Sequence, residues 1–142
     1  MVLVTPERIA SIMALVPAPH SFAELDEMVS KGLPKGALKA SIDHVHVSAE
    51  DRKQLLYRIV PEATYKRRRE SLSAEESARV ERLARIFATA AYVWDSEEDA
   101  RSFLNAPHSM LQDRRPLDVS MTELGARRVE ELLWRLYYGI AA

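Results

Sequence analysis

An all-α fold is predicted for this 142-residue chain by three features of its sequence. Apolar residues recur at three and four positions rather than alternating, the signature of one buried helical stripe. Ala, Leu, Arg and Glu dominate, whereas only four glycines occur, which favours helix nearly throughout. Serine or threonine followed three residues later by an acid stands in front of several apolar runs, the pattern of helix N-termini.

Taken in order, Thr5-Pro6-Glu7 reads as a helix start, with Ile9, Ile12, Met13 and Val16 on one apolar face and Pro17 and Pro19 ending it. Ser21 with Glu24 opens a second helix carrying Leu25, Met28 and Val29, and Gly32 is placed to close it in the left-handed conformation. Pro34 opens a third, with Leu38 and Ile42 inward. Ser48 with Asp51 begins a fourth, whose inward face is Leu55, Leu56 and Ile59. Val60-Pro61 interrupts it, and Glu62 to Arg69 form a short helix with positive charge crowded at one end. Ser73 with Glu76 is the clearest capping box. Behind it Val80, Leu83, Ala84, Phe87, Ala90, Ala91 and Trp94 give the longest stripe, and Glu75/Arg79 and Glu81/Arg85 are spaced as ion pairs. Ser96 with Asp99 starts a short helix with Ala100, Phe103 and Leu104 inward.

Helical periodicity then fails from Leu104 to Asp118, where Pro107 closes one helix and Pro116 opens the next turn. The segment predicts a compact corner, with Leu111 and Leu117 inward and Arg114 and Arg115 in water or tying down loop carbonyls. Thr122 caps the final helix, whose inward row is Val129, Leu132, Leu133, Leu136 and Ile140.

Composition narrows the chemistry. Twenty Lys and Arg nearly cancel twenty-one Asp and Glu, so any binding to nucleic acid must come from a local patch. Up to Ser71 there are eleven basic against nine acidic residues, net +2; from Leu72 there are nine against twelve, net −3, and the organisational boundary is placed there. Absence of cysteine removes disulfides, thiolate catalysis and thiolate metal sites. No apolar run approaches membrane-spanning length and no signal segment is readable, so a cytoplasmic protein is expected. His44 and His46 lack a third patterned ligand, no nucleophile–base pairing is readable, and no glycine-rich phosphate loop exists. Neither metal, cofactor nor enzymatic activity is expected.

Two stretches carry binding chemistry. The helix from about Ser48 to Ile59, its Val60-Pro61 break and the basic helix after it match a helix-turn-helix, with Thr64, Tyr65, Lys66, Arg67, Arg68 and Arg69 as candidate DNA contacts. The same residues also suit a solvated basic helix end, which the helix dipole favours. In the last helix, Trp134 with Tyr137 and Tyr138 lies beside the inward row and leads into Gly139, Ile140, Ala141 and Ala142. Such aromatics are frequent interface anchors, and core packing is the competing use for any one of them.

The second half resembles the toxin-binding domain of the MbcA/ParS/Xre-type antitoxins, partners of RES-domain toxins. The likeness rests on Glu76-Ser77, Arg79, Arg82-Leu83-Ala84-Arg85, Ala100, Phe103-Leu104, Pro107, Leu111, Arg114, Pro116-Leu117-Asp118, Thr122-Glu123, Gly125, Val129, Leu132 and Gly139. Gly32-Leu33-Pro34 through Thr64 and Arg67-Arg68-Arg69 is similar to the Xre-like helix-turn-helix that often precedes it. Gln112-Asp113 stand where the family usually has two glycines, and Phe103, His108 and Ile59 replace its common Trp, Asn and turn Gly. The resemblance implies a helical extension (1–31), a helix-turn-helix domain (32–71) and a toxin-binding domain (72–142). It further implies a non-enzymatic antitoxin that blocks a RES-domain, NAD-consuming toxin and represses its own operon by binding operator DNA. A homodimer or larger assembly with toxin follows, and Arg114, Trp134, Tyr137, Tyr138 and Gly139 to Ala142 become the toxin-binding candidates. The alternative is a helix-turn-helix regulator whose second half only dimerises.

Overall fold

The computed structural model describes residues 3–139. Among them nine α-helices follow one another: α1 (Pro6–Ile12), α2 (Phe22–Lys31), α3 (Gly36–Val45), α4 (Ala49–Ile59), α5 (Glu62–Arg67), α6 (Ala74–Trp94), α7 (Glu97–Asn105), α8 (Pro116–Val119) and α9 (Glu123–Tyr137), with a 3-10 turn at Ser109–Leu111. None of them is long and apolar enough to cross a membrane.

Local chemistry places the helix starts. Thr5, Ser21, Ser48, Ser73, Ser96 and Thr122 each accept a backbone N–H from the residue three positions on, satisfying a donor that the helix itself leaves free. Ser73 and Glu76 complete a reciprocal capping box.

Helix α6 is the central rod. Helices α1, α2 and α3 pack on it from the N-terminal segment, α7 and α9 from the C-terminal one, and α4 touches it near its start. Its apolar stripe is therefore wider than the spacing predicts: Ala88 and Thr89 are buried along with Val80, Leu83, Ala84, Ile86, Phe87 and Ala90. Trp94 departs from the expected inward row and is 41% exposed, because the helix ends there and Asp95 turns left-handed. Val16 is also not inward. Helix α1 stops at Ile12 and Ala14 takes a positive φ, which breaks the register and leaves Val16 92% exposed while Leu15 is buried.

At Gly32 the chain leaves α2 with φ +102 and ψ 119, so the positive φ is as expected but the left-handed helical cap is not. The cause is a backbone clasp: Leu72 N–H donates to Leu33 O (2.9 Å) and Lys35 N–H to Glu70 O (2.8 Å), pairing Pro34 with Ser71 before Lys35 turns into α3. A Cβ at Gly32 would collide with Leu72 O. Buried Ser77 on α6 accepts the Leu33 N–H at 2.8 Å, fixing the same segment from below.

The corner is as compact as its prolines suggest. His108 and Arg114 pair across it, and Leu111 and Leu117 are buried. Gln112 and Asp113 both adopt left-handed φ, 56° and 58°, keeping a turn that glycines would form without strain. Asp113→Gly is accordingly expected to stabilise the protein by roughly 0.5–1 kcal/mol, read as a higher midpoint in thermal unfolding; a lower midpoint would show that the Asp113 side chain contributes more than its backbone costs. Helix α9 then approaches so closely that a Cβ at Gly125 would overlap Val119 O.

Arg115 locks this corner to α4. Its guanidinium reaches Asp118 (2.6 and 3.1 Å), Asn105 (2.9 Å) and Asp51 on α4 (3.1 Å), and Arg58 on α4 also reaches Asp118 at 2.6 Å. Rather than lying in water or on loop carbonyls, as its place in the sequence suggests, Arg115 is held by carboxylates and an amide from three helices. Its side chain is 22% exposed, so its hydrogen bonds are partly shielded from water. Arg115→Ala is expected to cost about 2 kcal/mol, whereas exposed Arg114→Ala should stay within about 0.5 kcal/mol. Chemical denaturation of the two neighbours side by side checks this.

Candidate nucleic-acid and partner interfaces

The turn between α4 and α5 forms without glycine. Ile59 is the last helical residue and is buried, Val60 is extended, and Pro61 leads directly into α5, so no left-handed residue is required. Arg79 on α6 donates to Ile59 O at 3.1 Å, capping the end of α4. Helix α5 itself buries no residue and is held from its sides. Tyr65 meets Tyr57 edge-on at 6.3 Å, Lys35 Nζ lies 4.1 Å from the Tyr65 ring centre, and Lys35 donates to Arg68 O at 3.1 Å.

These tethers divide the six candidate DNA contacts. Arg68 turns inward and grips Glu76 with two nitrogens, at 3.0 and 3.3 Å, so it buttresses the capping box of α6. Burial would push the Glu76 carboxyl up, but the Ser73 backbone N–H and Arg68 outweigh it and hold the carboxyl below its ordinary range. Tyr65 is half-buried beneath Lys35. Lys66 and Arg67 are exposed, Lys66 bridging to Glu62 at 2.8 Å and Arg67 resting 3.5 Å from half-exposed Thr64. Arg69 is exposed, with no side-chain partner among the described residues. Of the six candidates, Arg67 and Arg69 are exposed cations with no carboxylate partner among the described residues, and Lys66 is exposed but paired with Glu62.

A second surface is aromatic. At the end of α9, Trp134 is half-buried, Tyr137 is 42% exposed and Tyr138 is 63% exposed. Their ring centres lie 5.0–6.4 Å apart, mostly edge to face, which is a favourable arrangement of ring quadrupoles. Tyr92 of α6 completes the group, 6.0 Å from Trp134 and 5.4 Å from Tyr137, with its hydroxyl 3.5 Å from that of Tyr137. Sequence spacing missed Tyr92, because it lies off the α6 stripe and meets α9 only in the fold. Gly139 ends α9 with φ +71 and is exposed, a cap that leaves its surroundings open. Ile140, Ala141 and Ala142, expected to touch a partner, lie outside the described residues. Arg114 projects from the corner, exposed and without a side-chain partner among the described residues.

His44 stacks on Phe87 at 5.2 Å and meets Glu97 at 3.0 Å, and Glu97 also pairs with Arg8. Among the described residues no three His, Asp or Glu converge as metal ligands.

Two family models match the chain. Residues 24–85 match the antitoxin Xre-like helix-turn-helix domain, and residues 89–139 match the antitoxin Xre/MbcA/ParS C-terminal toxin-binding domain. The chain belongs to the Xre/MbcA/ParS antitoxin family. In this antitoxin the two matched segments meet within α6, the helix on which both pack. No curated protein matches the chain. The α4–α5 unit lies in the first matched segment; Arg114, Tyr92 and the α9 aromatics lie in the second.

Acid should loosen the joint between these segments. Burial pushes Asp118 up, but hydrogen bonds from Arg115 and Arg58 outweigh it and hold its carboxyl below the ordinary range; Glu76 and Glu97 are lowered on balance too, Glu97 by His44 and Arg8. A carboxylate depressed in the folded state adds stability above its unfolded pKa, about 4, and loses it as pH falls through the folded value. Stability is therefore expected to be level in these groups above about pH 5 and to decline below about pH 4. In Asp118→Asn that decline should be shallower, a comparison made by denaturant titration across the pH range; equal slopes would mean that Asp118 takes no part.

Proposed function

We propose that this protein is the antitoxin of a type II toxin–antitoxin pair, that it blocks a RES-domain, NAD-consuming toxin, and that it represses its own operon through the α4–α5 helix-turn-helix. The observation that carries the reading is the exposed cluster of Tyr92, Trp134, Tyr137 and Tyr138 within the segment that matches the toxin-binding domain. Large aromatics with a polar tip lose little entropy on binding and anchor protein interfaces. Arg114 at the corner and residues 139–142 after α9 extend the proposed surface, the tail closing the mouth of the toxin's cleft. On the other module, α5 enters the major groove and Lys66, Arg67 and Arg69 hold phosphates, with Thr64 nearest the bases. Reading two half-sites calls for a homodimer or a larger assembly with toxin. The protein works in the cytoplasm, needs no cofactor and catalyses nothing itself.

Co-expression with a RES-domain protein encoded in a neighbouring frame tests the pairing. The two are expected to co-purify in a fixed ratio. If this protein instead elutes only as a self-assembly and the RES-domain protein emerges free, the second half serves dimerisation alone.

A further inference from the structure

A cleft of about 110 Å³ opens where α4, α6 and the segment after α8 meet, and its charged lining residues are Arg58, Arg79 and Arg82. Ile59, Leu83, Ser120 and Met121 supply the rest of its wall, the Ser120 hydroxyl donating to Leu117 O, and among the described residues no carboxylate lines it. The acids that pair with these arginines bind them from outside the cleft: Asp118 on Arg58 at 2.6 Å, Glu75 on Arg79 at 2.9 Å, and Glu123 at a loose 3.7 Å from Arg82.

Each guanidinium carries five N–H donors and no acceptor. Described hydrogen bonds occupy one nitrogen of Arg58, two of Arg79, which reaches Ile59 O and Glu75, and one of Arg82, which reaches Met121 O. Most of the donors around the cleft thus have no protein partner among the described residues. The volume equals that of roughly four waters, room for one compact group. Three forks converging from two helices suit an anion with three or more acceptor oxygens better than a flat carboxylate, which presents two.

We infer that this cleft binds a phosphoryl group. Its two possible sources share that chemistry. One is a free phosphorylated small molecule; the other is the backbone of DNA, since Arg58 lies on α4, the first helix of the helix-turn-helix, and such helices cross the phosphate backbone. All three arginines belong to the first family segment, and Ser120 and Met121 of the second close the wall of the cleft.

The test is a nuclear magnetic resonance titration of the full chain, following the arginine Nε–Hε signals at constant ionic strength with pyrophosphate in one arm and a mixed-sequence DNA duplex in the other. The signals of Arg58, Arg79 and Arg82 are expected to shift saturably, while those of exposed Arg114 and Arg127 follow only the general salt effect. Saturation by pyrophosphate assigns the cleft to a free phosphoryl ligand, and saturation by the duplex alone assigns it to backbone phosphate. Arg58→Gln should weaken the saturating arm at least tenfold at unchanged helicity, with Arg79 left intact because it caps α4. If the three signals move no more than those of Arg114 and Arg127 in both arms, the inference is overturned, and the wild-type titration decides this whether or not the variant folds.

Discussion

Replacing Lys66, Arg67 and Arg69 together by Ala is expected to abolish operator binding, with an affinity loss on the order of a hundredfold and toxin neutralisation intact. All three are exposed and none anchors α5, which is held by Tyr65, Lys35 and Arg68. The substitution therefore removes charge without loosening the fold. Each phosphate left without its cation should also flatten the dependence of log affinity on log salt by about 0.9. Arg68 gives the contrasting case: Arg68→Ala should lower stability by leaving buried Glu76 with only its capping bonds. Operator affinity measured across a salt series would be unchanged in the triple variant if α5 is merely a solvated basic end.

The second large effect is expected on the aromatic surface. Tyr137→Ala and Tyr138→Ala remove exposed rings, so their cost to folding is limited to edge-to-face contacts, at most about 1.5 kcal/mol per pair. At the centre of an interface the same rings are desolvated on binding, and each truncation should cost 2 kcal/mol or more, about thirtyfold in toxin affinity. Tyr92→Phe is the finer probe: it keeps the ring and deletes the hydroxyl that meets Tyr137. Calorimetry with purified toxin checks all three. Wild-type affinity in both Ala variants would move the interface to the Arg114 corner.

Much of the fold is legible locally, because the interactions that set it are short in sequence. A serine and the N–H three residues on, a proline that cannot donate, and a stripe repeating every third or fourth position are all visible in a single window, and the starts of α2, α4, α6, α7 and α9 follow from them. What escapes that window is decided by distant partners. Arg68 looks like its neighbours Arg67 and Arg69 until Glu76, eight residues away, takes it inward. Arg115 looks as free as Arg114 until Asp51, from a different helix, reaches it. Tyr92 lies off the apolar stripe of α6, and only the packing of α9 on α6 brings it into the aromatic group. Val16 escapes for the opposite reason, a local one: the positive φ at Ala14 has no glycine to announce it.

An antitoxin that silences its toxin by covering it acts in proportion to its amount. NAD consumed by a purified RES-domain protein encoded in a neighbouring frame, the proposed partner, followed against increasing amounts of the full-length protein, reads this directly. NAD loss should fall linearly and cease at a fixed molar ratio, with a chain ending at Tyr138 needing a large excess for the same effect. Undiminished NAD loss at saturating full-length protein would mean that this chain does not block the toxin at all.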